Sequence, residues 1–131
     1  MVDGALVVLD THALIWWTGV PELLGRRAAA ALRSAERVGI PAICFWETAL
    51  LVRKRRLQLG TTTAAWAATV RAIPRVEVLD LTADIALAAD ALVMHDDPAD
   101  RFILSTARAH AAPLLTKDAL LRRLRLATTV W

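Results

Sequence analysis

The 131-residue chain has one cysteine, no tyrosine, two phenylalanines, five glycines and five prolines. A single cysteine excludes an internal disulfide and a cysteine-based zinc site, and it fits a reducing compartment. That residue, Cys44, sits among apolar neighbours and reads as an inert buried thiol. No apolar stretch approaches the roughly 20 uninterrupted residues that a membrane span needs. Asp10 and His12 break the best candidate, which also lacks the basic flank and small-residue cleavage site of a signal peptide. The expectation is a soluble, cytoplasmic protein with no membrane partner. Linkers, repeats and low-complexity segments are missing too, which predicts a single domain over residues 1–131.

Hydrophobic residues make up 56% of the chain, which argues against disorder and for a compact α or α/β domain. The formal charge of +3 is mild, compatible with nucleic acid without requiring it. The basic residues cluster: Arg53, Lys54, Arg55 and Arg56 form one run, Arg122, Arg123 and Arg125 another. Arg26, Arg27, Arg33 and Arg37 lie along a third segment. Each cluster can be a solvated helix face or a contact to a phosphate backbone.

Short β-like runs alternate with longer helical ones. Leu6 to Leu9 suits a strand buried on both faces, and Ile40 to Ile43, Val76 to Leu79, Leu114-Leu115 and Thr128 to Val130 are further strands. Helices are predicted over 26–37, 45–56, from Thr61–Thr63 to Ala72, over 83–94 behind a Thr82 cap, and from Asp97-Pro98 to His110. The alternation predicts an α/β fold with a mostly parallel central sheet and helices on both faces. In such sheets ligands bind outside the carboxyl ends of the strands.

Asp10, Glu47, Asp100 and Asp118 stand alone where the chain is otherwise apolar. A carboxylate among buried groups is costly unless it is paired or binds a cation, so the four point to one metal-binding pocket. Asp10 follows the first strand and is either an N-cap or a residue at the crevice mouth. Glu47 shares a helix side with Leu50 and Leu51, a side that should face the core. Asp100 begins the apolar face that continues through Ile103, Leu104 and Ala107, while Arg101, Ser105, Arg108 and Ala112 trace a polar or small face. Asp118 is again a cap candidate between a strand and a helix. Asp84, Asp90 and Asp97 read as helix-end or surface acids. Gathered carboxylates cannot all stay ionised without a cation, and Mg²⁺ or Mn²⁺ prefers such oxygen ligands. The implied reaction is in-line hydrolysis of a phosphodiester by water. His12, His95 and His110 offer acid–base chemistry without metal, but His12 should point away from a crevice that Asp10 faces. Among the five tryptophans, Trp16, Trp17 and Trp46 read as core or dimer packing, and Trp66 as the exposed exception and a possible base-stacking platform.

The segments LDTHALIWW, CFWETALLVRKRRLQL, HDDPADRFILSTARAH and LLTKD, in this order and spacing, resemble the PIN-domain ribonucleases, in particular the VapC-type toxins of bacterial toxin–antitoxin pairs. The resemblance implies a PIN-like three-layer α/β/α fold. It also implies a site of Asp10, Glu47, Asp100 and Asp118 around Mg²⁺ (Mn²⁺ possible), with Thr116 as a supporting hydroxyl. RNA as substrate, a homodimer, and a cognate VapB-type antitoxin that blocks the cleft follow from the same likeness. Cys44 stands where the family commonly has Ser, Arg55 where it has Gly, and Ala99 where Phe is frequent. Two other readings compete. A haloacid-dehalogenase-like domain expects a second Asp where His12 stands, and a receiver-like domain would have to use Asp80. A non-catalytic PIN-fold binding module would have no reason to keep the full acidic set.

Overall fold

The computed structural model describes residues 6–131. Leu6–Leu9 (β1) is buried at every residue, and because alternate side chains of a strand point to opposite faces, both sides of the sheet are covered there. Arg37–Pro41 (β2), Val76–Leu79 (β3), Leu114–Leu115 (β4) and Thr129–Val130 (β5) join it in the order β3–β2–β1–β4–β5. Every pairing is parallel, so the expected mostly parallel sheet is fully so. The helices are Thr11–Gly19 (α1), Arg26–Ser34 (α2), Ala42–Arg53 (α3), Thr63–Arg71 (α4), Ala83–Asp90 (α5), Pro98–Ala109 (α6) and Ala119–Leu124 (α7). They flank the sheet as the outer layers of an α/β/α sandwich, with Leu9, Leu14, Ile40, Ile103, Leu104, Leu114 and Leu115 among the fully buried side chains. Among the described residues no helix is long and apolar enough to cross a membrane.

Several boundaries differ from the sequence pattern, among them the helix expected over 45–56, which runs Ala42–Arg53. Helix α2 stops at Ser34 instead of continuing to Arg37, because Arg75 reaches back and donates to the carbonyls of Leu32 (2.9 Å) and Ala35 (2.6 Å). This frees Arg37 to begin β2, where it pairs with Leu6 and its side chain meets Glu77 across the strands at 3.1 Å. Pro41 then closes β2 and precedes α3, so Ile43 belongs to the helix and not to the strand. Helix α5 ends at Asp90, short of position 94, because the following carbonyls are taken by Arg101.

The C-terminus of α3 explains the departure at Arg55. The Arg55 N–H bonds to the Val52 carbonyl at 3.0 Å and the Arg56 N–H to the Leu51 carbonyl at 2.9 Å, with Arg55 at φ 60°. This is the Schellman arrangement, whose left-handed residue is usually glycine. Arg55→Gly should therefore raise stability by about 0.5–1 kcal/mol, since relief of the left-handed cost outweighs the added freedom of the unfolded chain. Urea denaturation checks this, and a lowered midpoint would contradict it.

Gly39 in β2 is required for a different reason, space. A Cβ there would lie 2.7 Å from Leu79 Cδ1 and 3.1 Å from Leu6 Cδ1, both in buried side chains. Gly39→Ala is expected to cost about 1–2 kcal/mol through forced repacking. An unchanged denaturation midpoint would show that Leu79 yields freely.

Candidate active site

The chain order along the sheet reverses at β1 and β4: β2 and β3 extend one way, β4 and β5 the other. The crevice outside the carboxyl ends of two such strands is where α/β sheets bind ligands. Asp10 ends β1 at this point, and its N–H bonds to the Leu115 carbonyl of β4 at 3.2 Å. A pocket of about 530 Å³ opens there, and Asp10, Glu47, Asp100 and Asp118 all line it. The fold thus brings together four acids from four separate segments.

Asp10 is both a cap and a pocket residue, so the two readings of the sequence coexist. One oxygen accepts from the Ala13 N–H at 2.8 Å at the start of α1, and the other accepts from the Thr116 hydroxyl. Thr116 is fully buried just after β4, and its oxygen also accepts the Asp118 N–H at 3.0 Å. One hydroxyl therefore ties the first acid to the fourth. Asp118 caps α7, accepting from the Leu120 N–H at 2.8 Å and the Leu121 N–H at 3.1 Å. Glu47, half-buried in α3, accepts from the Thr11 hydroxyl at the head of α1. Asp100 in the first turn of α6 meets His95 Nε2 at 2.9 Å, and its N–H is capped by Asp97 at 3.1 Å.

The electrostatics show that these groups feel one another. Burial pushes the Asp10 carboxyl up from 3.8 to about 6, against the lowering effect of the Thr116 and Ala13 hydrogen bonds, and Asp100 raises it further. Asp100 is also raised, first by burial and then by the charges of Asp97 and Asp118, with His95 opposing. Among the described residues, Asp100 alone of the four has an ion-pair partner. Burial also pushes up the Cys44 thiol, which is fully enclosed and donates to the Leu9 carbonyl at 3.7 Å, in keeping with an inert role.

A hard divalent cation suits this donor set. The donors are all oxygen, the carboxyls of Asp10 and Asp100 are held above their ordinary range by desolvation and neighbouring charge, and nothing basic but Lys117 and His12 lines the pocket. Among the described residues, however, no group of three or more Asp, Glu, His or Cys side chains is already arranged to hold a metal ion. The carboxylates line the pocket walls, and holding a metal ion there would require side-chain adjustment.

Several lining residues depart from the sequence pattern. His12 does not point away: it faces the same pocket and packs on Trp16 with ring centroids 5.6 Å apart. The strand-to-helix junction is so tight that Asp10, Thr11 and His12 all reach the crevice. Asp97 is a cap as expected, yet it also lines the pocket as a further carboxylate. Trp16 and Lys117 line it too. Trp66, expected to be exposed, is 9% exposed and packs on Phe45, whereas Trp46 is 54% exposed. On the polar or small face of α6, Ser105 is buried and donates to the Ile85 carbonyl at 2.8 Å.

A family model described as PIN domain matches residues 7–126. The chain belongs to the PIN-domain family. Within that family it is similar to ribonuclease VapC22 of Mycobacterium tuberculosis, 35% identical over 129 residues that cover 95% of this chain and 98% of the relative. Its fold is like that of the VapBC2 crystal structure from Rickettsia felis bound to a promoter DNA fragment. That likeness has a TM-score of 0.64 at 16% identity and covers 95% of this chain and 96% of the other. A toxin–antitoxin complex from Klebsiella pneumoniae gives a TM-score of 0.62 at 20% identity, with 94% and 96% covered. At these identities the structural likeness speaks for the PIN fold alone.

Proposed function

We propose that this PIN-domain protein is a metal-dependent endoribonuclease toxin of VapC type that hydrolyses RNA phosphodiester bonds and is neutralised by a cognate VapB-type antitoxin. The observation that carries the chemistry is the convergence of Asp10, Glu47, Asp100 and Asp118 on one pocket at the sheet's reversal point. Similarity to ribonuclease VapC22 supports RNA as substrate and the VapC-type reading, from which the antitoxin partner follows. A homodimer, a cytoplasmic location and a single PIN domain over residues 1–131 belong to the same reading; one sheet with strands from Leu6 to Val130 supports the last.

Mg²⁺ or Mn²⁺ bound among these carboxylates would lower the pKa of an attacking water and neutralise charge on a phosphoryl oxygen. Asp10, Glu47, Asp100 and Asp118 would hold it. Thr116 keeps Asp10 and Asp118 in register, Thr11 orients Glu47, and His95 orients Asp100. Asp97 caps the turn that presents Asp100.

The receiver-like reading lacks a site, because Asp80 follows the edge strand β3 and does not line the pocket. The test is cleavage of RNA by the purified protein with Mg²⁺ or Mn²⁺. Cleavage should stop with excess EDTA and return when the metal is restored. Metal-independent cleavage, or none against total cellular RNA, would overturn the proposal.

A further inference from the structure

The acidic pocket has one wall of a different character. His12, Trp16 and Lys117 line it beside Asp10 and Asp118, and Lys117 Nζ lies 5.7 Å from the centroid of the Trp16 ring. Trp16 is braced by rings on two sides, His12 and Trp131, each with its centroid 5.6 Å away and tilted at 49° and 60°. Trp131 in turn packs so closely on Gly25 that a Cβ there would lie 2.6 Å from it. The indole is thus held in place before any ligand arrives, which lowers the ordering cost of binding to it.

A five-carboxylate pocket repels the phosphates of a nucleic acid, and Lys117 is the only Lys or Arg among its lining residues. We propose that His12, Trp16 and Lys117 form the subsite for a nucleotide flanking the scissile phosphodiester, with Trp16 stacking on its base and Lys117 pairing with its phosphate. This rests on the ribonuclease reading above and names how the single-stranded substrate is held. Lys117 is exposed, and its cation–π contact with Trp16 is the weaker interaction. An incoming base displaces it with a stronger aromatic stack, and the released ammonium moves onto the phosphate. The same motion uncovers the ring and supplies the charge.

The experiment measures binding apart from cleavage. In an Asp10→Asn background, a labelled single-stranded RNA is titrated by fluorescence anisotropy against Trp16→Leu, Trp16→Phe and Lys117→Met variants whose thermal unfolding confirms the fold. Trp16→Leu should weaken binding about tenfold, and Trp16→Phe should recover most of it, because leucine fills space without a π face. Lys117→Met should reduce the slope of log affinity against log salt by about 1. An abasic site at one position of the RNA should weaken the tryptophan protein and leave the leucine variant unaffected. Equal affinity of the leucine variant and its parent, or no RNA binding by either, would overturn the subsite. If binding depends on Trp16 while the protein with Asp10 intact cleaves no RNA, the subsite stands and the hydrolytic reading fails. If all Trp16 variants cleave with unchanged kcat/KM, the hydrolytic reading stands and the subsite fails.

Discussion

Asp10→Asn is expected to abolish RNA cleavage and, in the same protein, to raise the stability of the metal-free state. On the proposed reading, loss of one carboxylate from the first strand end would remove a ligand of the metal at the reacting phosphate, and a drop in kcat of at least about 10³-fold is the expected scale. The stability gain has a separate cause. Asp10 is 8% exposed and burial holds its carboxyl at about 6, against an ordinary 3.8 in the unfolded chain. Between about pH 4 and pH 6 the folded protein keeps a proton that the unfolded chain has lost, so stability falls as pH rises through that window. Above it, the ionised group costs on the order of 3 kcal/mol. Asparagine keeps the shape, can still accept the Ala13 N–H as an N-cap, and carries no charge.

The metal-free variant should therefore match the wild type near pH 4 and exceed it at pH 7.5, by a melting-temperature difference of roughly 10 °C. Mg²⁺ or Mn²⁺ should narrow the gap at pH 7.5 by stabilising the wild type and not the variant. Thermal unfolding at the two pH values, with EDTA and with metal, separates these effects. A variant less stable than wild type at pH 7.5 in EDTA would mean that Asp10 is held by its hydrogen bonds more than it is penalised by burial. Retained cleavage would remove it from the site.

Asp10 and Glu47 are legible in the sequence because each interrupts an apolar run, which is a local signal, whereas Asp118 reads locally as a helix cap and takes its site role only from the family pattern. Helix phase also served for Asp100, since Ile103, Leu104 and Ala107 are buried as their spacing predicts. It failed for Trp46, because α3 is apolar around most of its circumference and offers no contrast from which to read a phase. His12 and Trp16 were not legible as pocket residues for another reason. Their placement depends on how closely α1 follows β1 and on Trp131, which comes to Trp16 from the far end of the chain. Thr116 came only from the family pattern; its two hydrogen bonds, to Asp10 and from Asp118, give that position a physical role. Helix ends set by long-range donors, Arg75 for α2 and Arg101 for α5, leave no trace in local propensity.

Arg101 carries the second large expectation: Arg101→Met should cost about 3–5 kcal/mol and Arg101→Lys nearly as much. Its side chain is 17% exposed, and its guanidinium donates to the carbonyls of Ala89 (3.0 Å), Leu92 (3.0 Å), Met94 (2.8 Å) and His95 (3.1 Å). With the longer contact to the Asp90 carbonyl (3.4 Å), five carbonyls from the last turn of α5 to His95 thus share one planar, always-charged donor. Methionine keeps the packing of the stem but removes the donor these oxygens share; the Leu92 N–H still bonds to the Ala89 carbonyl. Lysine restores the charge, but its single ammonium cannot span the fork. The affected segment ends at His95, which holds Asp100, so opening it also loosens the third carboxylate. For a domain of this size the loss is a large part of the total stability. Urea denaturation gives the cost, and amide exchange should show opening concentrated at residues 89–96 in whatever fraction remains folded. The decisive comparison is Arg101→Lys: within about 0.5 kcal/mol of wild type, the fork geometry would be irrelevant and the charge alone would hold the segment.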